Sequence, residues 1–230
     1  MINVGITGKK GFIGTHLYNT LGLYPDKYTL IQFKRNYFDD KVALDSFVSQ
    51  CDVIVHLAGL KSVNESVLKP LSYWSNNVTG SINILKIMEE FNCKTIVFSS
   101  SATIYGRTKN NKVKENSNID PQNTYGKTKS GVETLLNDLY LSSSRNWRIA
   151  CLRYFNPIGA HCSGLIGEDP TGNPNNIFPL ITDVAAGKLK QLEVYGNDWR
   201  QRGHDDVAHA LVWGCLLYTS PSPRDKRQSR

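Results

Sequence analysis

Three glycines spaced three apart, lying between an apolar strand and a helical pattern, constrain this chain more than any other feature. Residues 2–7, INVGIT, read as a buried strand. Gly8-Lys9-Lys10-Gly11-Phe12-Ile13-Gly14 follows, and Leu17 and Leu21 then recur at helical spacing. Gly8 allows the tight turn, Gly11 lets backbone approach a pyrophosphate, and Gly14 lets the helix pack closely on the strand. The helix N-terminus offers free N–H groups and the positive end of its dipole to phosphate, with Phe12 and Ile13 lining the same turn. The strand–turn–helix setting is what the motif requires. The competing reading is a βα turn with no ligand.

Apolar runs continue to alternate with helical ones. Residues 28–33 and 52–57, the run starting at Thr95, and residues 148–154 read as strands. Residues 43–50, 74–90 and 125–141 read as helices, the second with Val78, Ile82, Leu85 and Met88 on one face. Strands alternating with helices predict an α/β fold, a Rossmann-type doubly wound parallel sheet with helices on both faces. Ligands then sit at the carboxyl ends of the strands, which carry Gly8, Gly59, Ser101 and Phe155. Beyond Asn156 glycine and proline become frequent; residues 175–187 read as a helix and LEVYGND as a short strand. The expected organisation is a dinucleotide-binding domain over residues 1–155, a truncated, smaller substrate-binding domain over 156–214, and a tail over 215–230.

The charge of +7 raises the question of nucleic acid. The tail carries Arg224, Lys226, Arg227 and Arg230 against Asp225, so +3 of that total falls there. No basic stripe with interleaved aromatics occurs, which argues against nucleic acid as a partner. No apolar stretch reaches the length of a membrane span, and the opening residues form a strand pattern, not a signal peptide. Five cysteines (Cys51, Cys93, Cys151, Cys162, Cys215) lack paired or metal-like spacing, so free thiols in a reducing cytoplasm and no metal are expected.

Tyr125 and Lys129 stand one helical turn apart in NTYGKTKSGVE. An ammonium beside a phenol favours the phenolate, so Lys129 is expected to lower the Tyr125 pKa and make it a general base. A hydroxyl from Ser101, in FSSSATIYG, can hold the same substrate oxygen. Many surface helices share tyrosine and lysine at this spacing, so the pair alone also fits a solvated face. His56, His161 and His209 read as structural.

The glycine turn, SSSATIYG and Tyr-x-x-x-Lys, in this order, resemble the extended short-chain dehydrogenase/reductase family. The blocks AGLKSVNESVLKPLSYWSNNVTGS, FSSSATIYG, LRYFNPIGAH and SGLIGEDPTGNPNNIFPLI are similar to the UDP-glucose 4-epimerases within it. The resemblance implies interconversion of UDP-glucose and UDP-galactose through a 4-keto sugar, with transient hydride transfer to NAD. It implies Tyr125 as base, Lys129 binding the nicotinamide ribose, and Ser101 on the reacting oxygen with Thr103 beside it. It implies cofactor contacts from Leu57, Ala58, Gly59, Leu60, Lys61, Asn76, Tyr154 and Phe155, and substrate contacts from Asn156, Asn175, Asn176 and Tyr195. Asn175 and Asn176 also suit a helix N-cap. A homodimer of the intact parent follows from the same resemblance.

Two departures accompany it. The second strand ends Gln32-Phe33-Lys34-Arg35, where NAD-preferring members carry an acid; Lys34 and Arg35 suit a 2′-phosphate, hence NADP. Residues 1–57 in this respect resemble NADPH-dependent sugar-nucleotide reductases, so an NADP(H)-dependent reductase or dehydratase is the alternative activity. The tail opens CLLYTSPSPRD, the translation of a transposase adapter used in sequencing libraries, and is expected to be non-native. Because the resemblance implies a larger substrate domain than this sequence carries, the 230-residue polypeptide is expected to turn over weakly or not at all, as an inactive fragment of its parent.

Overall fold

Along the chain run β1 (Ile2–Thr7), α1 (Phe12–Gly22), β2 (Tyr28–Gln32), α2 (Lys41–Val48), β3 (Val53–His56), α3 (Val63–Leu68) and α4 (Pro70–Tyr73). A π-helical turn (Trp74–Thr79), α5 (Gly80–Glu90), β4 (Thr95–Ser101), a 3-10 turn (Ala102–Tyr105), α6 (Thr124–Ser142) and β5 (Arg148–Tyr154) follow. The computed structural model describes residues 1–34, 38–106, 113–142, 146–161, 163–168, 176–193 and 214–215. It divides into two units, residues 1–154 and 155–230.

Alternation along the strands decides which helices cover which face of the sheet. Val4, Ile6 and Val55 form one small core, against which Val53, Val97 and α1 residues Leu17 and Leu21 pack. Ile54, Ile96 and Phe98 point the other way. They meet Leu44 and Phe47 of α2, Ile84, Leu85 and Met88 of α5, and Val132 and Leu136 of α6. A side-chain period of two therefore builds helices onto both faces, as a doubly wound sheet requires.

The five strands are all parallel, in the order β2-β1-β3-β4-β5. The chain leaves β1 toward β2 on one side and resumes at β3 on the other. The switch point thus lies between β1 and β3, and the crevice outside their carboxyl ends is where such a sheet receives a ligand. Thr7 and His56 are register partners at that point, and Ser101 and Tyr154 pair at the ends of β4 and β5.

The predicted helix over 74–90 is not uniform. Its first six residues form the π-helical turn, whose extra residue per turn rotates everything after it. Ser81, Ile84, Leu85, Ile87 and Met88 become the buried face, while Val78 and Ile82 are only partly covered. In the second unit β6 (Pro157–Ile158) pairs with β7 (Gly214–Cys215), and α7 (Ile177–Ala185) forms within the helix expected there. The strand expected in LEVYGND falls, beyond Glu193, outside the described residues. Among the described residues no helix is long and apolar enough to cross a membrane.

Candidate active site

The glycine turn is built on two close approaches. Gly8 has φ +71°, and a Cβ there would lie 2.7 Å from the Ala58 nitrogen, so only glycine fits. A Cβ on Gly14 would come within 2.2 Å of the Gly8 carbonyl oxygen and 2.8 Å of Lys9 Cα. Helix α1 therefore packs closely on the turn that ends β1. Gly11 differs: its φ is −76°, and a Cβ would meet only the Gly8 oxygen, at 3.3 Å. Its N–H donates to Gly8 O at 3.0 Å, and α1 begins at the next residue. The turn thus ends on a helix N-terminus with space outside Gly11, which fits a pyrophosphate.

Loop 57–61 packs against that turn and also reaches the Tyr/Lys helix. Ala58 N–H donates to Thr7 Oγ1 at 3.2 Å. Leu60 is held at both backbone groups by Asn77, its N–H donating to Oδ1 at 2.8 Å and its oxygen accepting from Nδ2 at 3.0 Å. A Cβ on Gly59 would be 3.6 Å from Lys129 Nζ. The same asparagine donates to Thr128 Oγ1 at 3.2 Å, and Thr128 donates to Tyr125 O at 2.7 Å.

Helix α6 carries Tyr125 and Lys129 past the end of β4. Asn123 Oδ1 accepts from Gly126 N at 2.8 Å, and Ser66 Oγ accepts from Tyr125 N at 3.1 Å, which fixes the first turn. Lys129 is 4% exposed, donates from Nζ to Ser99 O at 2.7 Å, and lies over the Phe98 ring, 4.9 Å from its centre. Burial lowers its pKa to about 8. Its Nζ is 5.8 Å from the centre of the Tyr125 ring. The expectation that Lys129 lowers the Tyr125 pKa is corrected for the ligand-free chain. Burial raises the phenol above its ordinary value, and what opposes the rise is the Ser101 hydroxyl. A lysine bonded to a backbone carbonyl, and itself costly to charge, is a weak stabiliser of a second buried charge. Ser101 Oγ accepts from Thr103 N at 3.3 Å and Thr103 Oγ1 at 3.0 Å, so its own hydrogen is left for another acceptor.

The remaining candidates fall in several places. Phe12, Ile13, Leu57, Ala58 and Leu60 are half-buried about the glycine turn and its loop, and Lys61 and Lys34 are exposed. Asn76 is half-buried; it is its neighbour Asn77 that carries the bonds to Leu60. Tyr154 is half-buried at the end of β5, its pKa raised by burial. In the second unit Phe155 and Asn156 are exposed, and Asn176 stands at the N-cap of α7. The Asn176 side chain makes no cap bond and donates to Glu168 Oε1 instead, a correction to the capping role expected of it. Arg35, Asn175, Tyr195 and His209 lie outside the described residues. Cys51, Cys93 and Cys151 are free thiols, with burial pushing Cys51 up to about 12 and Cys151 to about 11.

Sequence reasoning missed Asn77, Thr128, Ser66 and Arg153. Arg153 binds Glu133 of α6 (Nη2–Oε2 2.7 Å, Nε–Oε1 3.0 Å), Tyr105 OH at 2.8 Å and Glu115 O at 2.7 Å. It ties β5 to α6, to the 3-10 turn after Ser101, and to the loop before Tyr125. One available signal was polar residues at buried-face positions within otherwise apolar elements.

The profile of the NAD dependent epimerase/dehydratase family matches residues 4–222. UDP-glucose 4-epimerase 2 of rice (Oryza sativa subsp. japonica) is 48% identical over 177 residues, 75% of this chain and 43% of that protein. UDP-glucose 4-epimerase of Bacillus subtilis is 48% identical over 75% of this chain and 52% of its own length. A crystal structure of UDP-glucose 4-epimerase from Stenotrophomonas maltophila, with bound NAD and formylated UDP-arabinopyranose, superposes with a TM-score of 0.79. It is 36% identical, over 86% of this chain and 66% of that one. The chain spans about half the length of the curated relatives it matches. With a Rossmann-type sheet, a glycine turn at its switch point and a family match over nearly its whole length, this chain belongs to the NAD dependent epimerase/dehydratase family.

Proposed function

We propose that this chain supplies the dinucleotide site and the acid–base residues of a UDP-sugar 4-epimerase that interconverts UDP-glucose and UDP-galactose with NAD as its cofactor. One observation carries the reading: loop 57–61 packs on the glycine turn and also meets Lys129 of the helix bearing Tyr125. The names of the rice and Bacillus relatives, and the NAD and UDP-sugar in the Stenotrophomonas structure, support the cofactor and substrate class.

Bound NAD supplies a reversible hydride acceptor for the sugar C4. Tyr125 would act as its phenolate, taking the proton of the 4-hydroxyl and returning it after the 4-keto sugar has turned; burial disfavours that form, so positive charge on bound NAD would have to offset it. Ser101, which accepts from both Thr103 donors, directs its own hydrogen to the reacting oxygen. Lys129 stays anchored at Ser99 O and binds the nicotinamide ribose. Gly8, Gly11 and Gly14 hold the pyrophosphate with Phe12 and Ile13. Leu57, Ala58, Gly59, Leu60, Lys61, Asn76 and Tyr154 would line the cofactor.

The test is NAD binding by calorimetry for the chain and for Tyr125→Phe, with UDP-glucose formation from UDP-galactose, without added reductant, measured in the intact parent and its Tyr125→Phe variant, because the 230-residue chain is expected to turn over weakly or not at all. Tyr125→Phe is expected to keep NAD binding and to lose about 10²–10⁴ in rate. Stoichiometric oxidation of NADPH with a keto-sugar, or no dinucleotide binding, overturns the reading. The second reading, an NADP(H)-dependent reductase or dehydratase, rests on exposed Lys34 just after β2 where an acid suits NAD. NADP binding tighter than NAD, reversed by Lys34→Glu, supports it.

Homodimerisation, for which sedimentation is the test, has support in the exposed apolar residues Leu68, Leu71 and Trp74. A cytoplasmic location has support in the free thiols Cys51, Cys93 and Cys151.

A further inference from the structure

His56 is 3% exposed and is bonded through both ring nitrogens to side chains of two other elements: Thr7 Oγ1 at 2.8 Å to Nδ1, and Ser81 Oγ at 3.0 Å to Nε2. The direction of every bond in this chain follows from its ends. Ser81 donates its only hydroxyl hydrogen to Asn77 O at 2.6 Å, since a carbonyl cannot donate. Ser81 Oγ must then accept from His56, so Nε2 carries the hydrogen. Nδ1 is left as an acceptor and takes the Thr7 hydroxyl, and Thr7 Oγ1 accepts from Ala58 N. The order is Ala58 N–H to Thr7 to His56 to Ser81 to Asn77 O, without a break.

Both ends of that chain hold one loop. Ala58 is fixed through Thr7, and Leu60 is fixed by the side chain of the same Asn77 whose oxygen ends the relay. Thr7 and His56 are register partners at the β1/β3 switch point, where the sheet receives its ligand. We propose that His56 is a positioning residue: fixed as the Nε2–H tautomer, it sets the conformation of loop 57–61, the wall between the glycine turn and Lys129. It touches neither substrate nor cofactor and acts through Thr7 and Ser81. The Phe38 and Phe98 rings pack around it at centroid distances of 5.4 and 6.0 Å, and the charge facing it is the Lys129 ammonium. Burial, with that ammonium, lowers the His56 pKa to about 3, consistent with a ring that stays neutral.

The loop's role as a cofactor wall rests on the proposed function; the tautomer and the relay do not. Two measurements on the full 230-residue chain test the relay directly. Nitrogen NMR of the His56 ring is expected to report Nε2–H throughout about pH 5 to 8. Amide hydrogen exchange at both Ala58 and Leu60 is expected to quicken about tenfold in Thr7→Val and in Ser81→Ala, with Ile96 and Phe98 amides unchanged. Thr7→Ser, which keeps the hydroxyl, is expected to restore wild-type exchange. An Nδ1–H tautomer, a ring titrating near its ordinary pKa, or variants that leave either amide unchanged overturn the proposal. NAD affinity is the third readout, expected to fall about tenfold in Thr7→Val and to recover in Thr7→Ser. A wild-type chain that binds no dinucleotide sinks the proposed function, while the tautomer and exchange results still judge the relay. Wild-type NAD affinity in Thr7→Val, with the exchange effects present, removes the loop's link to the cofactor.

Discussion

The Lys129 ammonium donates to the Ser99 carbonyl, 2.7 Å away, and stands 5.8 Å from the centre of the Tyr125 ring. The two residues share a helix face, yet each has its protonation governed by something other than its partner. Burial governs Lys129, and burial opposed by Ser101 governs Tyr125. The ligand-free phenol is therefore expected to ionise above its ordinary value of 10.0. Ring-carbon NMR of labelled tyrosine against pH measures this. Ser101→Ala is expected to raise the Tyr125 midpoint further, and Lys129→Met to move it less. A midpoint below 10.0 in the ligand-free chain counts against burial as the controlling factor.

Lys129 also makes stability depend on pH. Its folded pKa of about 8 lies below the ordinary 10.5, so the unfolded chain binds more protons between these values. Stability attributable to Lys129 is thus lowest below about pH 8, where the buried group must carry its charge. It rises with pH toward 10.5, with a slope of at most about 1.4 kcal/mol per pH unit. Urea unfolding at several pH values, wild type minus Lys129→Met, isolates this contribution from the thiols. The difference is expected to shift in favour of wild type as pH rises; a flat difference contradicts it.

The glycines of the turn separate folding from ligand binding. Gly14→Ala brings a methyl within 2.2 Å of Gly8 O and must move α1, so it is expected to cost roughly 1–3 kcal/mol. Gly11→Ala meets only one atom, at 3.3 Å, and is expected to change stability by about 0.5 kcal/mol or less. It nonetheless adds bulk where the pyrophosphate is expected. Thermal melts and NAD calorimetry on both variants check the split: Gly14→Ala loses stability, while Gly11→Ala loses NAD affinity with its stability intact.

Arg153 and Glu133 form an ion pair with side chains 19% and 9% exposed. Removing one partner leaves the other charge without compensation in the interior. Arg153→Met is therefore expected to destabilise by about 3–5 kcal/mol. Adding Glu133→Leu is expected to recover much of the loss, because no buried charge then remains. Chemical denaturation of the two single variants and the double measures the coupling. Additive effects contradict a directly paired, buried bridge.

Much of the architecture was legible in the sequence because it rests on local rules. Short apolar runs between helical patterns marked β1 to β5, and β5 runs over Arg148–Tyr154 as expected. The positive φ of Gly8 is a local demand that the glycine spacing announced. The π-helical turn at Trp74–Thr79 was not legible, because its apolar residues also suit an ordinary α-helix. Nor did anything in Asn76-Asn77 reveal which asparagine faces loop 57–61, a choice made by that turn.

The sequence by itself determined the strand and helix periods, the glycine turn, and the presence of Ser101, Tyr125 and Lys129 one after another along the chain. Only the tertiary structure decided what surrounds them. The β1/β3 switch point brings Thr7 beside His56 across 49 residues, and fixes the imidazole tautomer through partners no local pattern connects. The sign of the Tyr125 pKa change was likewise decided in space. Spacing along a helix sets which charges are neighbours, but burial by distant segments sets what each charge costs.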